Sequence, residues 1–270
     1  MHGTLTLLRH SLGRLRGLVA AMAVVVALFQ VLLVRVAGTL QESSGFGGLA
    51  AFVPPFVRQM AGEALFTFMS FPGIVCLGYF HPMILAGLCG MVISAATEPA
   101  AEIETRFLDA ILVRPVARLA IISRSVVVLI LLPATVLLAM TAGTAAGLHW
   151  LTPTGVQTPG ARLIASLAVN LWALLVCIGG WALAVAMASR RRSVAGTIAG
   201  ISTLVLFLVD YLARAWKPAD AIAWLSPFHY FRAMDLLMGR PLALSHLAVL
   251  LVAGAVGMVV AGLVFARRDL

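Results

Sequence analysis

The sequence predicts an all-α integral membrane protein with six transmembrane helices. Three observations carry that expectation. The chain of 270 residues is 62% hydrophobic and only 11% charged, with a mean hydropathy of +1.06. Its apolar residues come in blocks of about 20 or more, enough to cross roughly 30 Å of hydrocarbon as helix, and not in the periodic stripes of a water-soluble fold. Its arginines crowd into alternate loops, as the positive-inside rule requires.

Spans are expected near 17–40, 70–97, 119–147, 161–188, 194–213 and 246–266, in a single membrane domain over 1–270. The second and third are long enough to tilt or to continue past the bilayer. The first, "GLVAAMAVVVALFQVLLVRVAGTL", is too long for the apolar region of a signal peptide and lacks a clear small-residue cleavage site, so it reads as a retained span. Six spans put both termini on one side, with loops 98–118 and 189–193. That side carries twelve arginines against six Lys and Arg in the opposite loops, which places both termini in the cytoplasm. Arginines beside anionic headgroups account for a pI near 10.9 with no nucleic-acid partner. Cys76, Cys89 and Cys177 all fall within spans and read as small buried apolar residues.

Residues 1–16, "MHGTLTLLRHSLGRLR", have the pattern of an interfacial helix. Leu5, Leu8, Leu12 and Leu15 form one stripe, flanked by Arg9 and Arg16 with Arg14 opposite, so the leucines can float in the headgroup boundary. The simpler alternative is a basic flank that only sets topology. External segment 41–69 is too broken by glycine and proline to span and is expected to lie on the outer surface. Segment 148–160 reads as a plain turn. Segment 214–245 holds "AWLSPFHYFRAMDLLMGRPL", whose aromatic residues and arginines suit an anchoring belt. A sharper reading makes Trp224, Phe228, Tyr230 and Phe231 a short helix that dips in and caps an exit route. Small-xxx-small pairs at Gly143/Gly147 and Gly196/Gly200, and glycines 254, 257 and 262, are candidate helix-packing faces.

Several chemistries are excluded. No phosphate-binding G-x-x-x-x-G-K-[ST] loop exists, and Lys217, the only lysine, lies in an external loop. Six scattered histidines (2, 10, 81, 149, 229, 246) give no metal-ligand spacing. His81, beside Pro82, is the one expected within the bilayer, satisfied by a carbonyl one turn back. No nucleophile elbow or paired-carboxylate site is evident. Within the spans and away from the cytoplasm, only Arg35 and Asp210 are charged; they can pair across spans one and five or snorkel to the headgroups. No catalytic residue, cofactor site or metal site is expected in this chain.

The remaining feature is "AEIETRFLDAILVRPVAR" (101–118), three acids and three arginines between long apolar runs. Residues 101–113 are amphipathic at helical spacing. Ile103, Phe107 and Ile111 share one face, and Glu102, Arg106 and Asp109 share another, with Glu102 and Arg106 an i, i+4 pair. Glu98-Pro99 is a start signal and Arg114-Pro115 a stop. A lipid-lying helix would be strongly basic; the mixed signs here favour docking to a protein partner over a solvated topology loop.

That stretch resembles the cytoplasmic loop between spans two and three in permease subunits of type-2 ABC exporters, where an acid-rich stretch and an apolar helix precede a proline and an arginine. "LSPFHYFRAMDLLMG" (225–239) before the last span and "FARRDL" (265–270) agree in spacing. Where many members carry Gly-Thr before the helix, this chain has Arg106-Phe107. The resemblance implies a half-transporter in the cytoplasmic membrane of a prokaryote. A second permease, identical or a sister chain, would complete the path through the lipid, and two separate ATPase subunits would bind ATP and Mg. It makes the loop a coupling helix, with Glu102, Glu104, Arg106, Phe107, Asp109, Arg114, Pro115 and Arg118 as the ATPase-coupling residues. Two other classes stand beside this one: a membrane scaffold or assembly factor without transport, and an ion-coupled carrier, which the scarcity of intramembrane charge disfavours.

Overall fold

The computed structural model describes residues 2–43, 67–105, 118–214 and 216–267. Every regular element among them is helical. Six helical segments are long and apolar enough to cross a membrane: Leu15–Glu42, Phe71–Glu104, Ile122–Leu151, Ala161–Ala188, Arg192–Ala213 and Leu244–Ala266. All six expected spans are present, and the third runs four residues further than its expected end, to Leu151.

The first helix, α1 (His2–Glu42), has 41 residues and an expected length of about 60 Å, twice the hydrocarbon thickness. Residues 2–16 are helical and join the first span without a break. The external segment expected at 41–69 lies mostly outside the described residues.

The second span is not the continuous helix that its hydropathy suggests. It divides into α2 (Phe71–Cys76), a 3-10 turn (Leu77–Tyr79) and α3 (Pro82–Ala96), followed by α4 (Glu98–Glu104). Pro82 supplies no N–H to the turn before it and pushes His81 into extended backbone, with ψ at 127°. His81 then caps α3: its Nδ1 accepts from the Met83 N–H at 3.3 Å, and its ring meets Phe29 edge-on. The expected bond to a carbonyl one turn back gives way to this N-cap. Gln30 of α1, fully buried, packs its amide against Gly78, where a β-carbon would lie 2.6 Å from Gln30 Oε1. Beside it the Tyr79 hydroxyl lies 3.0 Å from Thr144 Oγ1, and Thr144 donates its own proton to the Met140 carbonyl, so Tyr79 is the donor.

The third span is α5 (Arg118–Leu151), with Pro133 in its interior. That proline withholds the N–H that would bond the Leu129 carbonyl. One residue on, the Trp172 indole N–H donates to the Ile130 carbonyl at 3.1 Å and ties the next helix to α5 where the ladder is loosened. The turn after α5 contains Gly155 at φ +80°, a left-handed backbone that glycine adopts without strain. Then follow α6 (Ala161–Ala188) and α7 (Arg192–Ala213), three short helices, α8 (Lys217–Ala223), α9 (Pro227–Tyr230) and α10 (Ala233–Leu237), and the last span, α11 (Leu244–Ala266).

The axis of the bundle is α6. Its apolar window is 83% buried, against 22% for the first, fifth and sixth spans, and it packs on α11, α3, α5 and α7. Lipid tails are as apolar as the helices, so close backbone approach, not hydrophobicity, holds such pairs together. Here α6 and α11 interlock through Gly180 against Gly254 and Gly257, and α1 and α5 through Gly143 against Ala27 and Gly147 against Val34. Gly196 and Gly200 of α7 do not pack this way: a β-carbon on either would meet nothing within 4 Å. Cys76, Cys89 and Cys177 are buried free thiols.

Candidate functional site

Chain direction alternates through the spans, so one end of the bundle gathers the end of α3, all of α4, the start of α5 and the junction of α6 with α7. The other end gathers α2, the end of α7 and the short helices α8 to α10. The described charged residues between Glu98 and Arg232 concentrate at these two ends.

At the α4 end, Glu102 and Arg124 form an ion pair of 2.6 Å with only 3% of either side chain exposed. It joins α4 to the third span. Arg192, the first residue of α7, is held twice. Its backbone N–H donates to Glu104 Oε2 at 3.0 Å, and its guanidinium lies 2.7 Å from Glu98 Oε1 and 3.2 Å from Ser94 Oγ. The first N–H groups of a helix have no partner within it and favour an anion, so Glu104 satisfies the start of α7 from another element. All three glutamates of α4 thus bind neighbouring spans within the same chain.

Of the eight residues expected to couple to an ATPase, the structure brings Glu102 and Glu104 together in this junction. Arg118 opens α5. Arg106, Phe107, Asp109, Arg114 and Pro115 lie outside the described residues. α4 begins at Glu98, at the expected start signal, and ends at Glu104, with the Thr105 hydroxyl donating to the Ala101 carbonyl at 2.9 Å; most of the amphipathic stretch 101–113 lies outside the described residues. In sequence, Arg124 and Arg192 count only among the twelve cytoplasmic arginines and Glu98 only as a helix start. Their partners are 22 and 94 positions away in sequence, and no local pattern announces that.

At the opposite end, Asp210 is 7% exposed within the last turn of α7. Its carboxylate lies 2.8 Å from the Arg214 guanidinium and 3.8 Å from His229 Nδ1. Its partners are therefore these two, and Arg35, exposed on α1, takes no part. Asp235 lies 3.2 Å from Arg240 and 3.6 Å from Arg232. The four aromatic residues expected as an outer gate divide in two. Phe228 and Phe231 are buried, 4% and 6% exposed, with Phe228 edge-on to Phe207 of α7 at 5.3 Å. Trp224 is exposed and Tyr230 half-buried, and the Tyr230 hydroxyl donates to the Trp224 carbonyl at 3.0 Å. Exposed Trp216 and Trp224 fit the belt reading, while Phe228 and Phe231 fit the reading of a helix tucked inward. Ser226 fixes that tuck by donating to the Leu206 carbonyl at 2.8 Å.

Three cavities lie in a row along the seam between α3 and α7. The first, of about 530 Å³, is lined by Ser94, Thr97, Glu104 and Arg192. The second, of about 420 Å³, is almost wholly apolar and shares Gly90 and Ile93 with the first. The third, of about 460 Å³, holds Asp210 and Arg214 and shares Pro82, Leu85, Phe207 and Phe228 with the second. Gly90, Gly196 and Gly200 leave room here: a β-carbon on any of them would touch nothing within 4 Å. Among the described residues no group of three or more His, Cys, Asp or Glu could hold a metal ion.

Six apolar spans, joined by close glycine contacts, define a polytopic membrane protein. No protein-family model matches the chain, and no curated protein is similar enough to count as a relative.

Proposed function

We propose that this chain is the membrane-spanning permease subunit of an ATP-driven exporter of the type-2 ABC class. It works beside a second permease, with two copies of a separate ATPase, in the cytoplasmic membrane of a prokaryote. The termini and α4 face the cytoplasm. One observation carries the reading: the first segment of the charged loop is bonded to two spans at once, through Glu102 to Arg124 and through Glu98 and Glu104 to Arg192. A push on the loop from a soluble motor then reaches α5 and α7 without loss in a flexible joint. Because α7 forms one wall of the seam, that push alters the seam itself. In this reading Arg106, Phe107, Asp109, Arg114, Pro115 and Arg118 make the motor contact, and Glu102 and Glu104 form the joint behind it. ATP and Mg belong to the motor, because this chain has no phosphate loop.

The experiment is purification of the tagged full chain from its own cells in mild detergent. An ATPase without spans of its own is expected to co-purify. Arg106→Glu with Phe107→Ala is expected to lower its recovery at least about tenfold, as loss of a charged and aromatic anchor does at an interface. Recovery of intact, folded permease without an ATPase, from cells in which export is running, contradicts the reading.

A further inference from the structure

An ionisable group within a span is costly and marks function more often than packing, and Asp210 is such a group. The cavity at the α9 end is lined by three carboxylates, Asp210, Asp220 and Asp235, and two guanidiniums, Arg214 and Arg232, with His229 between them. Immediately below it, sharing four lining residues, lies the apolar cavity between α3 and α7, whose only polar lining side chain besides a thiol is Thr203. Each is of ligand size, since small-molecule sites run from about 300 to 1,000 Å³. A solute that filled both would need a charged head and a hydrocarbon body in line.

The signs at the head end decide the class further. A purely anionic head would meet three carboxylates, and a purely cationic one would meet two guanidiniums. Asp210 already pairs with Arg214 at 2.8 Å and faces His229 Nδ1 at 3.8 Å, but a guanidinium has five N–H donors, so these contacts leave Arg214 with donors to spare. Arg214 keeps 64% of its side chain accessible and Arg232 keeps 45%. A head with an anionic and a cationic group a few ångströms apart can match both signs at once, with charge-assisted bonds on each side.

We propose that the seam between α3 and α7 binds an amphiphile with a zwitterionic head, its chain in the apolar cavity and its head among Asp210, Arg214, Arg232 and Asp235. It deepens the exporter reading by naming the cargo class, and rests on that reading only for the direction of movement. Binding itself needs no ATPase.

The experiment uses the full chain alone in nanodiscs and a single-chain phosphocholine amphiphile with a photoreactive diazirine in mid-chain. Labelling is expected on the peptides of α3 and α7 around Cys89 and Thr203. Competitors of equal chain length carry phosphocholine, phosphate, trimethylammonium or maltoside heads. The zwitterionic competitor is expected to displace the probe at about tenfold lower concentration than the others, a modest preference for two added charge-assisted contacts. Asp210→Asn with Arg232→Gln should flatten that preference to within about twofold while chain labelling persists. Because that double variant could fail to fold, Thr203→Trp provides a second check: it fills the apolar cavity, leaves the charges in place, and should abolish labelling at an unchanged melting temperature.

Equal displacement by all four heads overturns the proposal, as does labelling away from α3 and α7. Absence of labelling with efficient copy-to-copy crosslinking through Leu204→Cys also overturns it, since a second chain then fills the seam. Failure of the exporter reading would appear separately, as absence of a co-purifying ATPase with labelling intact.

Discussion

The two ends of the bundle use the same chemistry, carboxylate against guanidinium, in opposite ways. At the α4 end the Glu102–Arg124 pair is 3% exposed on both sides and joins elements far apart in sequence. At the α9 end Asp210 and Arg214 sit one turn apart on the same helix, and Arg214 is 64% exposed on a cavity wall. A buried pair gains little over an apolar replacement, but removing one partner leaves an uncompensated charge, so such a pair holds its elements rigidly. A half-open pair contributes little to stability and keeps donors and acceptors for something else. The first arrangement suits a joint and the second suits a site.

Removing charges one at a time can break or sharpen that contrast. Arg124→Ala strands Glu102 in a closed interior and is expected to cost about 3–5 kcal/mol, read as the largest loss of melting temperature in detergent. Arg192→Ala removes a partly exposed charge together with its contacts to Glu98 and Ser94, and is expected to cost about 1–2 kcal/mol. Arg214→Gln should cost less than about 1 kcal/mol, yet change cargo handling in an export or binding assay. Arg240→Gln, at the open rim beside Asp235, should stay within about 0.5 kcal/mol in the same melting experiment. If Arg214→Gln destabilises as much as Arg124→Ala, the division into joint and site fails.

The division of labour between sequence and structure follows from the range of each signal. The six spans are local, because hydrocarbon thickness alone sets their length and forces them to be helical. The break at 77–81 was also local, in Gly78 and His81-Pro82, but a hydropathy run hides it because the turn is as apolar as the helices beside it. Glycine spacing picked out Gly143/Gly147 and Gly196/Gly200 alike; only packing separates the first, which seats α1, from the second, which leaves the seam open. Gly180, at the centre of the α6–α11 contact, lies in none of those pairs. Asp210 and Arg214 had a readable i, i+4 spacing, whereas the partners of Glu98 and Glu102 could come only from the fold. For the same reason Glu102 and Glu104 read as docking residues in sequence, whereas in space buried Glu102 bonds Arg124 and exposed Glu104 accepts from the Arg192 N–H.

The most direct measurement is the width of the seam as a function of nucleotide. Spin labels at Ala86→Cys of α3 and Leu204→Cys of α7, in the chain bound to the ATPase proposed as its partner, report that distance by pulsed electron resonance. The account predicts a shift of several ångströms when ATP binds the motor, and loss of the shift in Arg192→Ala although ATP still binds. A distance that ignores nucleotide, or a shift that survives Arg192→Ala, contradicts it.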